Sequence, residues 1–79
     1  QYIMKLIIAI GDIEMSVKEM LNVLELKERK SFISLYLNPA INEGYVSMLY
    51  PDSPRHPRQK YLLTVKGLAV YNEFKEMGK

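Results

Sequence analysis

A chain of 79 residues has room for one domain, and its 48% apolar share is enough for a small core without disulfide or metal staples. The absence of cysteine excludes disulfides, thiolate metal sites and a cysteine nucleophile. The net charge of +2 decides nothing by itself, and the longest apolar run, Leu6 to Ile10, falls far short of the roughly 20 residues that span a bilayer.

Tyr2 to Ile10 is apolar nearly all round and is expected to form a buried first helix, cut short at its start. Gly11-Asp12 breaks the pattern, and Glu14-Met15 has the length of one short strand against a later hairpin. Ser16-Val17-Lys18-Glu19 reads as a capping box, in which the serine hydroxyl accepts from the Glu19 amide and the glutamate reaches back. Val17, Met20, Leu21 and Leu24 then recur at helical spacing and predict an amphipathic second helix.

Leu26 to Lys30 is a polar break. Ser31 is placed to cap a third helix, residues 31–43, with Ile33, Tyr36, Leu37, Ala40 and Ile41 on one face. Lys30, Ser31, Ser34, Asn38 and Asn42 fall on or near the opposite side. Pro39 removes an amide and pushes Asn38 away from helical angles. The helix therefore either kinks there or stops at Leu37 and restarts with Asn38 as cap and Pro39 first; the kink is favoured. Gly44 is expected to close it as a left-handed cap.

Tyr45 to Tyr50 and Lys60 to Val65 alternate as strands do. The intervening PDSPRHPRQ holds three prolines and is expected to be an extended loop. Thr64 is a candidate cap for a last helix carrying Leu68, Tyr71 and either Phe74 or Lys75, with Gly67 a weak point near its start. The order helix, helix, helix, strand, wing, strand, helix predicts an α+β winged helix-turn-helix: a three-helix core, a small antiparallel β-hairpin wing and a C-terminal helix.

The charge is unevenly spread. Residues 1–26 carry two cations against four carboxylates, −2, whereas residues 27–66 carry seven against three, +4. A basic middle of this kind is the footprint of a nucleic-acid face; an ordinary solvated surface is the alternative. Lys27, Arg29 and Lys30 stand at the expected start of the third helix, where they and free amides can hold a phosphate. Ser31, Ser34 and Asn38 are short groups able to reach base edges in the major groove. In the wing, Arg55, Arg58 and Lys60, with His56 when protonated, are placed to follow a backbone or enter a minor groove. Leu35 on the outward side is unusual for a groove reader and suits a protein contact instead.

Catalysis has no residues to rest on. His56 is the single histidine and stands among arginines without a second ligand, the four glycines are scattered, and Asp12 and Glu14 suit a solvated turn better than an acid–base pair. No enzyme activity, cofactor or metal is expected.

Tyr36-Leu37-Asn38-Pro39-Ala40-Ile41, Gly44, Pro51-Asp52, Pro54, Gln59-Lys60-Tyr61 and Leu63-Thr64 together resemble one winged-helix family. It closes bacterial transcriptional regulators that carry an AlbA-type ATP-binding region, the RecG-like helicase-related proteins, and a similar module ends many Fic-family proteins. The resemblance covers about residues 12 to 67. It implies an accessory domain whose parent carries the chemistry, since neither a Fic active-site motif nor an ATP-binding motif is present. Arg55-His56-Pro57-Arg58 departs from the family pattern by making the wing more basic.

The expectation is thus a single winged-helix domain over residues 1–79. The start at Gln1 rather than methionine suggests a piece of a larger cytoplasmic protein, with the regulator favoured as parent. Its expected role is to bind double-stranded DNA, helix 31–43 in the major groove and wing 51–60 on phosphates. The alternative is a protein-interaction, dimerisation or regulatory module without DNA binding. In that reading Tyr2 to Ile10, with more apolar surface than a small core needs, meets a second copy or the parent, and Leu35 and Tyr50 add exposed apolar area.

Overall fold

The computed structural model describes residues 2–78. Its elements follow the expected order: α1 (Tyr2–Ile10), α2 (Val17–Leu24), α3 (Arg29–Phe32), a π-turn (Ile33–Leu37), α4 (Asn38–Asn42), β1 (Val46–Met48), β2 (Tyr61–Leu63) and α5 (Val65–Met77). This is the predicted winged-helix arrangement, three helical segments in the core with a two-stranded antiparallel hairpin and a C-terminal helix.

Helix α1 buries Leu6, Ile7 and Ile10, but Tyr2 and Ile8 stay exposed. The all-round burial expected from its sequence is thus corrected to burial along one face, because so few elements cannot surround a helix. The capping box forms as predicted: the Glu19 amide donates to Ser16 Oγ at 3.2 Å and the Ser16 amide donates to Glu19 Oε1 at 2.8 Å. The Ser16 amide foremost, then the Ser16 hydroxyl, and last Lys60 hold the Glu19 carboxyl below its ordinary range, against an opposing desolvation. α2 ends on Glu25 in the left-handed region, φ 57°.

The third helical segment departs from expectation at both its start and its middle. It begins at Arg29 with Glu28 as cap, not at Ser31. The Ser31 hydroxyl instead donates to the Glu28 carboxylate, one turn back. At Pro39 the helix neither stops nor restarts. Asn38 keeps helical angles, φ −60° and ψ −45°, and its amide donates to the Ile33 carbonyl five residues earlier. One wide turn makes room where the proline ring would meet the Leu35 carbonyl. The wider turn also keeps Phe32, Tyr36, Leu37 and Ala40 buried together. Gly44 follows at φ +83°, the left-handed close predicted for it.

The strands are shorter than expected at each end. Val46 pairs with Leu63, Ser47 with Leu62 and Met48 with Tyr61. Tyr61 also pairs with Met15, whose amide and carbonyl bond to it at 2.9 and 2.7 Å, so the short strand anticipated at Glu14-Met15 is present as a single bridge. Thr64 caps α5 by accepting from the Gly67 amide at 3.1 Å, while its hydroxyl donates to the Gly44 carbonyl at 2.6 Å. That pair of bonds ties the helix start to the end of α4.

Phe32, Leu6, Ile7, Ile10 and Met20 are the largest fully buried side chains. They are joined by Leu37, Ala40, Val46 and Leu63 in a single core. Full burial of one such side chain is worth about 1.5–3 kcal/mol. Among the described residues no helix is long and apolar enough to cross a membrane.

Candidate functional site

The wing is compact. Three successive turns close it, with the Ser53 amide donating to the Tyr50 carbonyl at 3.1 Å, His56 to Ser53 at 2.9 Å and Gln59 to His56 at 3.0 Å. The extended loop expected from its prolines is therefore corrected. Prolines fix one backbone angle, and that angle suits a turn as well as an extended chain.

Gln59 holds these turns together from inside. Its Nε2 donates to the carbonyls of Tyr50 at 2.9 Å and Ser53 at 3.1 Å, and its Oε1 accepts from the Tyr50 amide at 2.9 Å. The His56 ring lies against Tyr50 with centroids 3.9 Å apart and planes 10° off parallel, and its Nδ1 accepts from the Arg58 amide at 2.9 Å. His56 is thus part of the wing's internal scaffold, a role that sequence reasoning did not give it.

Folding brings some of the sequence-predicted cations together and separates others. A groove of about 590 Å³ runs between the start of α2, the start of α3 and the wing. Arg29 and Arg55 line it with Ser16, Lys18 and His56, and Val17, Pro54, Pro57 and Tyr61 supply apolar wall. Lys18 was not predicted for any site. Its place as the second residue of a capped helix gave its position on α2, but only the folded wing puts it across from Arg55.

Lys60 instead stands 3.9 Å from the Glu19 carboxylate, the one ion pair among the described residues. Lys27, Lys30, Asn38 and Arg58 are exposed and line no part of this groove. Ser34 is exposed too, its hydroxyl donating to the Ser31 carbonyl at 3.3 Å. Ser31 and Ser34 are therefore engaged within their own helix. Among the described residues no group of three His, Asp or Glu side chains gathers as metal ligands do.

A second, apolar depression of about 340 Å³ lies on another face, lined by Ile3, Met4 and Ile7 of α1, Glu43, Tyr45, and Val70 of α5. Ile8, one turn beyond Met4, is exposed, as are Phe74 and Met77, which continue the Val70 stripe along α5 at helical spacing. Lys66 braces one wall: its Nζ donates to the Glu43 carbonyl at 2.7 Å and stands 4.4 Å from the Tyr45 ring centre.

The family model for the C-terminal domain of Fic-like proteins, "Filamentation induced by cAMP protein Fic-like", matches residues 1–64. That span takes in α1, which lay outside the resemblance read from the sequence, and leaves out all of α5. A crystal structure of a Fic family protein from Desulfovibrio desulfuricans G20 is similar at 40% identity with a TM-score of 0.79. The match covers 82% of this chain but 20% of that one, so this chain spans about a fifth of the relative's length. A comparison with curated proteins found no match. Of the two resemblances read in the sequence, these findings carry the Fic-family one; none of them concerns a regulator with an AlbA-type region.

Proposed function

The chain belongs to the family of Fic-like C-terminal domains, and from that we propose that it is a protein-interacting, regulatory module of a larger Fic-type protein. The observation that carries this reading is the uncovered apolar face around α1 and α5. Met4, Ile7 and Val70 line a depression there, and Ile8, one turn from Met4, and Phe74 and Met77, one and two turns from Val70, are exposed. A small domain exposing neighbouring apolar side chains has a surface suited to another protein, and the similar Fic family protein has four-fifths of its length beyond the matched part.

Hydrogen exchange tests it, measured on this chain alone and as part of the Fic-type protein that carries it. Slower exchange at the C-terminal half of α5 and at Met4–Ile8 in the larger protein is the expected result. Equal exchange in both would overturn the docking face, and a mass that rises with concentration in the chain alone would assign the face to a second copy.

A second reading, duplex DNA binding by the third helical segment and the wing, is favoured by one observation. Arg29 and Arg55 converge on one groove, with Lys30 and Asn38 exposed on the segment beside it. Salt-sensitive NMR shifts at residues 29–38 and 55–60 on adding a random-sequence duplex are its signature. Unmoved signals at low salt would end it.

A further inference from the structure

We propose that the groove between the start of α2 and the wing is a docking site for an acidic peptide segment that also carries an aliphatic side chain. The inference rests on the interaction-module reading and gives that module a second surface, with the chemistry of its partner.

Charge is the first argument. Lys18, Arg29 and Arg55 come from three separate stretches of sequence and line one groove, yet none has a carboxylate within ion-pair distance among the described residues. The acids next to Lys18 and Arg29 in sequence are committed elsewhere, and Asp52, three residues before Arg55, is exposed and does not line the groove. Glu19 is held in the α2 cap and faces Lys60, and Glu28 accepts from Ser31. Three cations gathered without a counter-charge raise the local potential and favour an anionic guest.

The shape of the site separates the anions. Val17, Pro54, Pro57 and Tyr61 make much of the wall, and apolar wall adds nothing to the binding of a phosphate backbone. It does receive an aliphatic side chain, whose neighbours in sequence then place carboxylates against the three cations. A duplex presents its phosphates on a broad rigid surface, whereas a single extended segment enters a groove of about 590 Å³.

The site is also preformed. The wing side is fixed by the Gln59 bonds and by the Tyr50–His56 stack, and the opposite side by the α2 capping box. Little ordering is then left to oppose binding.

The test uses three fluorescent probes on the whole chain: a peptide of alternating glutamate and leucine, its glutamine–leucine counterpart, and a random-sequence duplex. The glutamate–leucine peptide should bind and shift the NMR signals of residues 16–18, 29 and 54–57. Lys18→Glu with Arg55→Glu should weaken it by about tenfold, the effect expected of two exposed ion pairs. Both side chains are exposed, and unchanged far-ultraviolet dichroism would confirm that the variant is folded.

Equal binding of the glutamine peptide would overturn the charge argument, and shifts elsewhere would overturn the site. Displacement of the peptide by the duplex from the same residues would give the groove to nucleic acid. Each of these leaves exchange at the α1–α5 face unaffected, so failure of this inference is distinct from failure of the interaction-module reading.

Discussion

At position 67 helix propensity and packing point in opposite directions. Glycine within the first turns of α5 costs up to about 1 kcal/mol against alanine, yet a Cβ there would press on the Tyr45 carbonyl oxygen and lie 3.2 Å from the Leu63 side chain. The obstacle is backbone, held where the Thr64 amide donates to that same carbonyl at 2.9 Å. Gly67→Ala should therefore destabilise by about 1–2 kcal/mol, the overpacking term exceeding the propensity gain. Urea unfolding measures it, and a stabilised variant would show that α5 can shift away from β1. Glu19 offers a pH test on the same scale. Its carboxyl is held below 4.5 chiefly by the backbone and hydroxyl of Ser16. A depressed folded pKa adds stability that is present above the unfolded value and is lost as pH falls through the folded one. An NMR titration should thus place the Glu19 midpoint lower in the folded chain than in the urea-unfolded chain, and Ser16→Ala should raise it. Equal midpoints in the two states would mean the capping box is not populated in solution.

The wing behaves as an element because one side chain ties its turns together. Gln59→Ala removes the bonds to Tyr50 and Ser53 at once and should cost about 1–2 kcal/mol, since exposed groups can re-bond to water. The larger effect is local: amides of Ser53 and His56 should lose exchange protection while those of α1 and α2 keep theirs. Unchanged protection in the wing would mean that the three turns hold without Gln59. Nothing in the sequence marks Gln59 for this part, because its partners are backbone carbonyls that any residue supplies. Ser16 with Glu19, Gly44 and Thr64 were legible for the opposite reason, each signal being a residue type whose chemistry acts within a few positions. Phe32 was missed although it stands four and eight residues before Tyr36 and Ala40, because the expected helix began only at Ser31 and left it in the first turn. It is fully buried in line with them, whereas Ile33 and Ile41 of the neighbouring row are only partly buried. The candidate site divides in the same way. That Arg29 and Arg55 are cations of a basic middle was readable, whereas their meeting with Lys18 across a groove required the compact wing.

Taken whole, the molecule has little stability to lose. Domains carry about 0.05–0.15 kcal/mol per residue, which for this length is about 4–12 kcal/mol. Phe32 is the largest of the fully buried side chains and lies 5.5 Å from the Tyr36 ring, which in turn lies 4.8 Å from that of Tyr2. It thereby joins α3, the π-turn and α1. Truncation of such a residue costs about 3–5 kcal/mol, a large part of the total. Phe32→Ala should lower the melting temperature by about 12 °C or more, at about 4–8 °C per kcal/mol for a chain of this size. The apolar face at Phe74 and Met77 takes no part in that core, and Met77 is 83% exposed. Met77→Ser should leave the melt of the isolated chain nearly unchanged, because no buried contact is lost. The two substitutions together separate residues that hold the fold from residues that the fold presents. A Met77→Ser variant that melted as early as Phe32→Ala would show that α5 is stabilised through the very face assigned here to a partner.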